Sequence, residues 1–323
     1  DYTDGGCPVL LTEPQSTNII TDSNDFSDSS WAKGANTEVA SSSVLSPSGD
    51  LNAYSFKSIN SIGNTYAYSS AAISPSADYT FSFYARSNNP SAITVGKLCY
   101  LFTNNGGGSV FLNASEITSE WKRYSVTATS SATSTSATCY LATDWDVNGE
   151  IEFYGAQLEE LSYSTSLIPT YGAVRTRLQD TVLGAGTSSD FNSTEGTFFW
   201  EGSFLSNGRI EINSADNLYR VIIGFSSSVF YRIRANAVNI ITHFFSSANE
   251  YNRNYKIAVR YQSGNSCIYV NGVKESDSDA FSLLGLSEVN FVSEGQELTG
   301  KTSQIQVFKT ALSDAELQTL TTI

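Results

Sequence analysis

Alternating hydrophobic and polar residues run through most of the chain and predict β-strands. In the run YTFSFYAR at 79–86, every second residue is apolar, and the residues between them are hydroxyl residues, Tyr84 and Arg86. Successive side chains of a strand point to opposite faces, so one face of this strand is predicted to lie in a core and the other to be exposed. Similar runs predict strands at 97–103, 122–129, 138–143, 150–158, 196–205, 219–225, 229–234, 255–262, 267–270, 289–292 and 303–308.

Turn and helix signals agree with a strand-rich chain. Asn271-Gly272 joins two short strand runs and is the dipeptide that a type I′ hairpin favours. The one helix signal lies near residue 313, where Ser313 can cap a helix with Glu316 three residues later. Leucines in and beside this segment are predicted to dock on a sandwich: Leu312, Leu317 and Leu320.

Many short strands separated by Gly, Asn, Ser and Pro predict an all-β protein with two β-sandwich domains of the jelly-roll type in tandem. A length of 323 residues also favours two domains. The segment 162–187 holds Pro169, three glycines and few long apolar runs, and separates two blocks of similar strand density. The predicted division is an N-terminal arm at 1–17, a first sandwich at 18–174 and a second at 175–323.

The charge of the chain limits its partners. Asp and Glu total 32 against 18 Lys and Arg, which gives a formal net charge of −14. This charge repels nucleic acid and anionic membranes but is compatible with neutral glycans or a basic protein patch. The sequence contains no apolar run near the 18 residues that a membrane-spanning helix needs, so no membrane insertion is expected.

The four cysteines, at 7, 99, 139 and 267, are too scattered for a disulfide scaffold or a zinc site. The sequence Cys-Tyr-Leu occurs at both 99–101 and 139–141, which predicts that the two strands are neighbours. Buried free thiols are the simpler interpretation of this pair, and a cross-strand disulfide is the alternative.

Catalytic signals are weak. The single histidine, His243, lies in an apolar stretch, and the sequence contains no nucleophile elbow. Glu150 and Glu152 share one face of a strand at a spacing of about 7 Å, but solvated strand charges explain them better than a pair of catalytic acids. Glu211-Ile-Asn213 lacks the second acid of a glycanase strand. We therefore expect no enzymatic activity.

Several segments of the first block carry a resemblance to a known family: NIITDSNDF at 18–26 with Trp31, YTFSFYAR at 79–86, WKRYSV at 121–126, and FYGAQLE at 153–159 with TSLIP at 165–169. They resemble the jelly-roll carbohydrate-binding modules of glycanases and phage virion proteins. The last segment is similar to one in phage and prophage tail proteins. The resemblance implies that Trp31 and Trp121 are core aromatics.

The second block carries a different resemblance, in YKIAVRY at 255–261, CIYVNG at 267–272 and IQVF at 305–308 followed by ALSDAEL at 311–317. These segments are similar to concanavalin A-like or laminin G-like sandwiches. Together the two resemblances imply adhesion to glycans or cell-surface ligands by a virion or secreted protein.

Sugar recognition couples an aromatic platform to a few polar groups. Trp145, flanked by Asp144 and Asp146 in the polar turn ATDWDVNG, is the first candidate contact, with anchoring of the loop as the alternative. The predicted exposed face that carries Tyr84 and Arg86 is the second candidate.

Calcium is the one cofactor expected, as a structural ion. Jelly-roll modules often hold such an ion near their first and last strands, and this resemblance implies Asp22, Asp25 and Glu152 as oxygen ligands. The alternative is that these carboxylates serve only turns and the surface.

The function predicted from sequence is a non-catalytic glycan-binding adhesion protein. The resemblances imply a phage tail or capsid-fibre component, at the virion surface or outside the cell, that recognises a host polysaccharide and contacts other virion subunits. Homo-oligomeric assembly is compatible with this role. Two alternatives stay open: a purely structural virion protein, and a polysaccharide lyase or hydrolase with an unrecognised site.

Overall fold

The computed structural model describes residues 9–59, 63, 65–143, 149–277 and 279–323. Up to residue 177 the strands are β1 (Leu10–Thr12), β2 (Ser16–Asn18), β3 (Ala32–Lys33), β4 (Thr37–Ser41), β5 (Tyr54–Ser58), β6 (Ala67–Ala72), β7 (Asp78–Arg86), β8 (Lys97–Thr103), β9 (Ser109–Asn113), β10 (Lys122–Thr129), β11 (Ser136–Thr143), β12 (Glu150–Glu159) and β13 (Arg175–Arg177). The remaining elements are β14 (Glu195–Phe204), β15 (Gly208–Ser214), β16 (Arg220–Phe225), β17 (Val229–Ala235), β18 (Val238–Phe244), β19 (Asn254–Gln262), β20 (Ser266–Val270), β21 (Val273–Asp277), β22 (Leu286–Asn290), β23 (Val292–Ser293), β24 (Gln296–Glu297), β25 (Gly300–Phe308) and α1 (Asp314–Thr321). Three 3₁₀ turns lie at Pro90–Ala92, Ala114–Glu116 and Ser188–Asp190.

Residue contacts divide the chain into two units. The first sandwich consists of residues 15–178, and the second consists of residues 1–14 together with 179–323. The sequence had placed these divisions at 17 and 174. The difference at the N-terminus arises because β1, expected to belong to an arm, pairs with β25 and fills its hydrogen-bonding edge.

The first sandwich contains two five-stranded sheets, ordered β10-β7-β12-β5-β4 and β3-β6-β11-β8-β9, with a short β13-β2 pair beside them. Both sheets contribute to one core. The predicted alternation in β7 is confirmed, because its apolar set is fully buried. The largest side chains of this core are Trp31, Tyr79, Phe26, Phe56, Phe81, Phe83 and Phe153.

The second sandwich contains a six-stranded sheet, β1-β25-β14-β19-β20-β21, and a seven-stranded sheet in which β18-β17-β16-β15 continues to β24-β23, with β22 also paired to β15. Apolar residues from both sheets form its core, in which Trp200 is fully buried. The fold class predicted from sequence, all-β with two sandwiches, is therefore confirmed.

The local signals in the second sandwich are also confirmed. Val270 pairs with Val273 across a two-residue turn whose Asn271 and Gly272 have φ of +50° and +82°. Ser313 accepts a hydrogen bond from the amide of Glu316 and caps α1, and leucines of the C-terminal segment pack against β14, β19 and β20. Among the described residues, no helix is long and apolar enough to cross a membrane.

Candidate functional site

Trp145, Asp144 and Asp146, the first sugar contacts predicted from sequence, lie outside the described residues. Their role stays a prediction. Their turn directly follows β11 in the sequence, and substitution of Trp145 is included in the experiment below.

Tyr84 and Arg86, the second candidate pair, project from the outer face of β7. The ring of Tyr84 is half-buried, with its centroid 6.1 Å from that of Tyr154 and 5.5 Å from the guanidinium carbon of Arg123. Arg86 Nε lies 3.3 Å from Glu152 Oε2. Both candidates are therefore held by neighbouring side chains of their own sheet.

The rest of this face of β7 is covered. Thr80 and Ser82, which the alternation placed on an exposed face, are fully buried. The hydroxyl of Thr80 donates to the carbonyl of Leu161 at 2.8 Å, so the segment that follows β12 lies over this part of the strand. The part of this face near Tyr84 and Arg86 is partly exposed. The prediction of an exposed face was wrong at Thr80 and Ser82, because alternation predicts which way a side chain points and not which segment covers it.

Two of the three proposed calcium ligands serve the loop before β3. Asp22 Oδ1 accepts the amide of Gly172 at 2.8 Å. Asp25 Oδ1 accepts the hydroxyl of Ser27 at 2.5 Å and that of Tyr54 at 2.8 Å. Hydrogen bonds from Ser27 hold the pKa of Asp25 below its usual value. Both carboxylates therefore act as hydrogen-bond acceptors for the chain itself.

The third proposed ligand, Glu152, is buried in a different setting. It accepts the hydroxyl of Ser42 at 3.0 Å and pairs with Arg86. A guanidinium beside the carboxylate repels a divalent cation. The described part of the chain contains no group of three or more His, Cys, Asp or Glu side chains that could hold a metal ion, and the calcium role of Asp22, Asp25 and Glu152 stays a prediction.

A continuous row of aromatic side chains crosses four strands on the outer face of the β3-β6-β11-β8-β9 sheet. Tyr68, Tyr140, Tyr100 and Phe111 are successive cross-strand partners on β6, β11, β8 and β9. The ring centroids of Tyr68 and Tyr140 are 5.0 Å apart, and those of Tyr140 and Tyr100 are 5.9 Å apart. We call these four residues the aromatic row. Phe111 is 49% exposed and the tyrosines are half-buried, so the row meets solvent.

Two further rings widen the aromatic row. The ring centroid of Tyr66 lies 6.0 Å from that of Tyr140, and Phe102 stacks on Tyr100 at 6.4 Å. Phe102 is 39% exposed. The aromatic surface therefore extends to both sides of the row, where isolated cross-strand pairs would give only separate contacts.

Polar groups border the aromatic row. The ammonium of Lys97 lies 5.6 Å from the ring centre of Tyr100 and 5.3 Å from that of Phe111. The hydroxyls of Ser70 and Thr138 are 3.0 Å apart on neighbouring strands of the same sheet. A cation at one end and hydroxyls at the side add directional hydrogen bonding to an apolar surface.

The tyrosine hydroxyl at the centre of the row stays protonated. Burial, with smaller contributions from the other tyrosines, raises the pKa of Tyr140 above its ordinary value of 10.0. A neutral phenol both donates and accepts hydrogen bonds, as a sugar hydroxyl requires of its partner.

The Cys-Tyr-Leu repeat explains how the sequence builds the row. In both copies, at 99–101 and 139–141, the cysteine and leucine are buried in the core, so the tyrosine projects outward. The strands are neighbours, as predicted, and their register places Tyr100 opposite Tyr140. The row itself could not be predicted from the repeat, because a repeat predicts proximity but does not fix which residues face each other.

The catalytic candidates are engaged in pairs. His243 Nε2 lies 2.7 Å from Glu275 Oε2, and the hydroxyl of Ser246 donates to the same carboxylate at 2.6 Å instead of facing the imidazole as a nucleophile would. Glu211 lies 3.3 Å from Arg220 Nη1, while burial raises the pKa of its carboxyl. His243 and Glu211 therefore each lie beside a partner side chain of their own sandwich.

No protein-family model matches the sequence, and a search of curated proteins finds no match. Among solved structures, the chain is similar to the native heptameric SAP-like pentraxin from Limulus polyphemus, at 13% identity and a TM-score of 0.32, over 42% of this chain and 71% of that one. It is also similar to the LG1-3 region of the laminin alpha2 chain, at 10% identity and a TM-score of 0.31, over 78% and 66% of the two chains. A third similarity is to domains LG4-5 of the mouse laminin alpha1 chain, at 10% identity and a TM-score of 0.27, over 94% and 92%. Scores this low assign no family, and the fold class rests on the strand pairing above.

Proposed function

We propose that this protein is a non-catalytic glycan-binding protein and that the aromatic row is the surface that contacts the sugar. The observation that carries the proposal is four aromatic side chains in register across four strands, Tyr68, Tyr140, Tyr100 and Phe111, with their rings in contact with solvent. Aromatic faces bury the apolar face of a pyranose, and nearby hydroxyls and Lys97 fix its orientation.

The net charge of −14 favours a neutral glycan at this surface. At the aromatic row, the single charge of Lys97 would offset only part of the long-range repulsion between a polyanionic glycan and the acidic chain, so we expect a neutral glycan at this surface. The row also runs across strands, so an extended oligosaccharide lying along it would contact several rings at once. We accordingly propose a polysaccharide ligand, and the adhesion role at a virion surface or outside the cell belongs to the same proposal.

The test begins with an array of bacterial and algal polysaccharides, followed by calorimetric titration with an oligosaccharide of the glycan that binds. Replacing Tyr140, at the centre of the row, by alanine is expected to lower affinity about ten- to hundredfold, because one stacking contact contributes on the order of 1–3 kcal/mol. Tyr84→Ala is the matched control, since Tyr84 is a half-buried tyrosine on the other sheet of the same sandwich. The affinity of this variant for the oligosaccharide is expected to equal that of the natural chain.

The outcomes separate the candidate surfaces. If Tyr84→Ala weakens binding and Tyr140→Ala does not, the ligand lies on β7 near Arg86. If only Trp145→Ala weakens binding, the turn after β11 is the site. Binding that survives all three substitutions contradicts the proposal for the aromatic row.

The two alternative functions predicted from sequence, a structural virion protein and a polysaccharide lyase or hydrolase, would give different results with the same protein samples. If the row serves only subunit packing, Tyr140→Ala shifts the oligomeric state in sedimentation experiments and no glycan binds. A lyase or hydrolase releases unsaturated or reducing ends from the glycan that binds.

A further inference from the structure

Three arginines of the second sandwich converge on one carboxylate. Arg209 projects from β15, Arg232 and Arg234 project from β17, and Glu294 lies in the turn between β23 and β24. Arg232 Nη1 is 2.5 Å from Glu294 Oε2, Arg234 Nη1 is 2.7 Å from Oε1, and Arg209 Nη1 also donates to Oε2. We call these four residues the arginine cluster. The neighbours of these arginines along each strand face the core, so the cluster lies on the outer face of the sheet.

The arginine cluster carries more positive charge than its carboxylate can neutralise. Nε of Arg209 and Nε of Arg234 are buried and have no hydrogen-bond acceptor among the described residues. The guanidinium carbons of Arg209 and Arg232 lie 5.6 Å and 5.5 Å from the ring centre of Phe230, which holds them side by side. Three guanidiniums held side by side are a strong donor set for a carboxylate, whether it belongs to Glu294 or to a ligand that replaces it.

The backbone supports this stacked arrangement. Phe230 pairs with Gly224 on β16, and a Cβ at Gly224 would lie 2.4 Å from the ring. Only glycine lets Phe230 lie flat beneath the arginines. The cluster is therefore held in place by residues that do not themselves bind an anion.

Glu294 reaches the arginines from a minimal hairpin. Strands β23 and β24 have two residues each, and the turn between them places Glu294 and Gly295 at φ of +53° and +74°. A non-glycine residue in this left-handed region is strained. A carboxylate delivered by so short a hairpin can be displaced by breaking few backbone hydrogen bonds.

Glu294 belongs to the wall of a cavity of about 490 Å³, whereas Arg209, Arg232 and Arg234 do not, so a ligand in the cavity would reach the arginines only in place of the Glu294 carboxylate. The cavity wall further includes Arg220, Glu211, Glu288 and Asn290. Arg220 is already paired with Glu211, and Glu288 accepts hydrogen bonds from the side chains of Asn213 and Asn290. The remaining acceptor oxygens of this wall suit the hydroxyl donors of a sugar and not a second anion.

We propose that this site binds a carboxylate-bearing sugar, a uronic acid residue of an acidic glycan. Its carboxylate takes the place of the Glu294 carboxylate among Arg209, Arg232 and Arg234, and its hydroxyls donate to Glu288 and to the side-chain carbonyl oxygens of the cavity wall. Glu294 acts as an internal competitor that keeps the arginines neutralised until the ligand arrives. The site is separate from the aromatic row, and this proposal does not depend on the proposed function.

The test uses the full chain and titration calorimetry with trigalacturonate, and with galactotriose as the uncharged counterpart. Glu294→Gln removes the competing carboxylate and is expected to tighten trigalacturonate binding at least tenfold. Arg232→Gln is expected to weaken it at least tenfold, because a charge-assisted hydrogen bond is lost. Arg253→Gln, an exposed arginine of the same sandwich, is the matched control and leaves affinity unchanged.

Several results would overturn the proposal: no trigalacturonate binding by the natural chain and by Glu294→Gln, equal binding of galactotriose, no effect of Arg232→Gln, or a triglutamate peptide that binds as tightly as the sugar. If Glu294→Gln does not fold, the affinities of Arg232→Gln and Arg253→Gln for trigalacturonate test the proposal, and equal affinities would contradict it. Tyr140→Ala is expected to leave trigalacturonate binding intact, so failure at the aromatic row and failure at the arginine cluster are distinguishable.

Discussion

Two cysteine thiols show what burial does to a reactive group. Cys99 and Cys139 are free, buried and located on adjacent strands, β8 and β11. Burial raises the pKa of Cys99 to about 12 and that of Cys139 well above its ordinary value. The thiolate is the form that reacts, so both thiols are protected by electrostatics as well as by packing.

We predict that iodoacetamide alkylates Cys99 and Cys139 only after unfolding. At a pH below about 8, Cys99 has about a thousandfold less thiolate than a thiol at the ordinary value of 9.0. Mass spectrometry of the two peptides measures the rates in the native chain and in guanidinium chloride. Alkylation of the native chain at the rate of the unfolded one would contradict the prediction.

For single residues, the sequence predicted which way a side chain points better than how deeply it is buried. Trp31 and Trp121 were both expected in the core, and Trp31 is. The prediction for Trp121 is wrong, because its ring lies half-exposed at the surface, where its N–H donates to the carbonyl of Leu45 at 2.8 Å. The expectation rested on a family resemblance in short segments, and burial depends on what a distant segment places above a side chain, which such a resemblance does not contain.

Among the elements, the Asn271-Gly272 hairpin is the one that local chemistry specifies most fully. Both turn residues have positive φ, and the ideal Cβ of Gly272 would lie 3.3 Å from the hydroxyl oxygen of Thr322. Side chains other than glycine pay a steric penalty in this conformation.

We predict that Gly272→Ala lowers the free energy of unfolding by about 1–2 kcal/mol, because alanine must adopt the left-handed conformation. Chemical denaturation measures the change. Asn271→Asp is the control and is expected to change stability by less than about 0.5 kcal/mol, since aspartate tolerates the same φ and keeps an oxygen that accepts the amide of Lys256. Equal stability of Gly272→Ala and the natural chain would show that the turn relaxes without cost.

Most strands were predictable because each is set by its own alternation, whereas pairing was predicted only for β8 with β11 and for the β20–β21 hairpin. The run at 289–292 shows the limit: the structure ends β22 at Asn290 and begins β23 at Val292, where the chain leaves its pairing with β15. The aromatic row and the arginine cluster were missed for the same reason. Both are made by residues that come together only through the register between strands.

At the scale of the whole molecule, each sandwich includes a short strand that lies close to a domain boundary in the sequence. The first sandwich needs β2 and β13, which pair Ser16–Asn18 with Arg175–Arg177. The second sandwich needs β1. A division at 174 would therefore remove β13 from the first sandwich, and an N-terminal arm ending at 17 would leave β25 with an open edge.

We predict that a fragment of residues 15–178 unfolds in one cooperative transition, because its core is formed within that range. A fragment of residues 15–174 is expected to melt earlier, by about 2–4 °C for each kcal/mol that the lost β2–β13 pairing contributes. Differential scanning calorimetry compares the two. Identical melting temperatures would show that β13 does not stabilise the first sandwich.

The position of β1 in the sequence affects the order in which the two sandwiches can fold during synthesis. Thr12 bonds to Gly300, 288 residues later in the chain, and the entire first sandwich is encoded between β1 and the rest of its own unit. During synthesis the first sandwich can fold while β1 remains unpaired, since β25 has not yet been translated. The first sandwich is thus inserted between β1 and the rest of the second sandwich, and β1 is translated before the first sandwich but can pair only after β25 has been made.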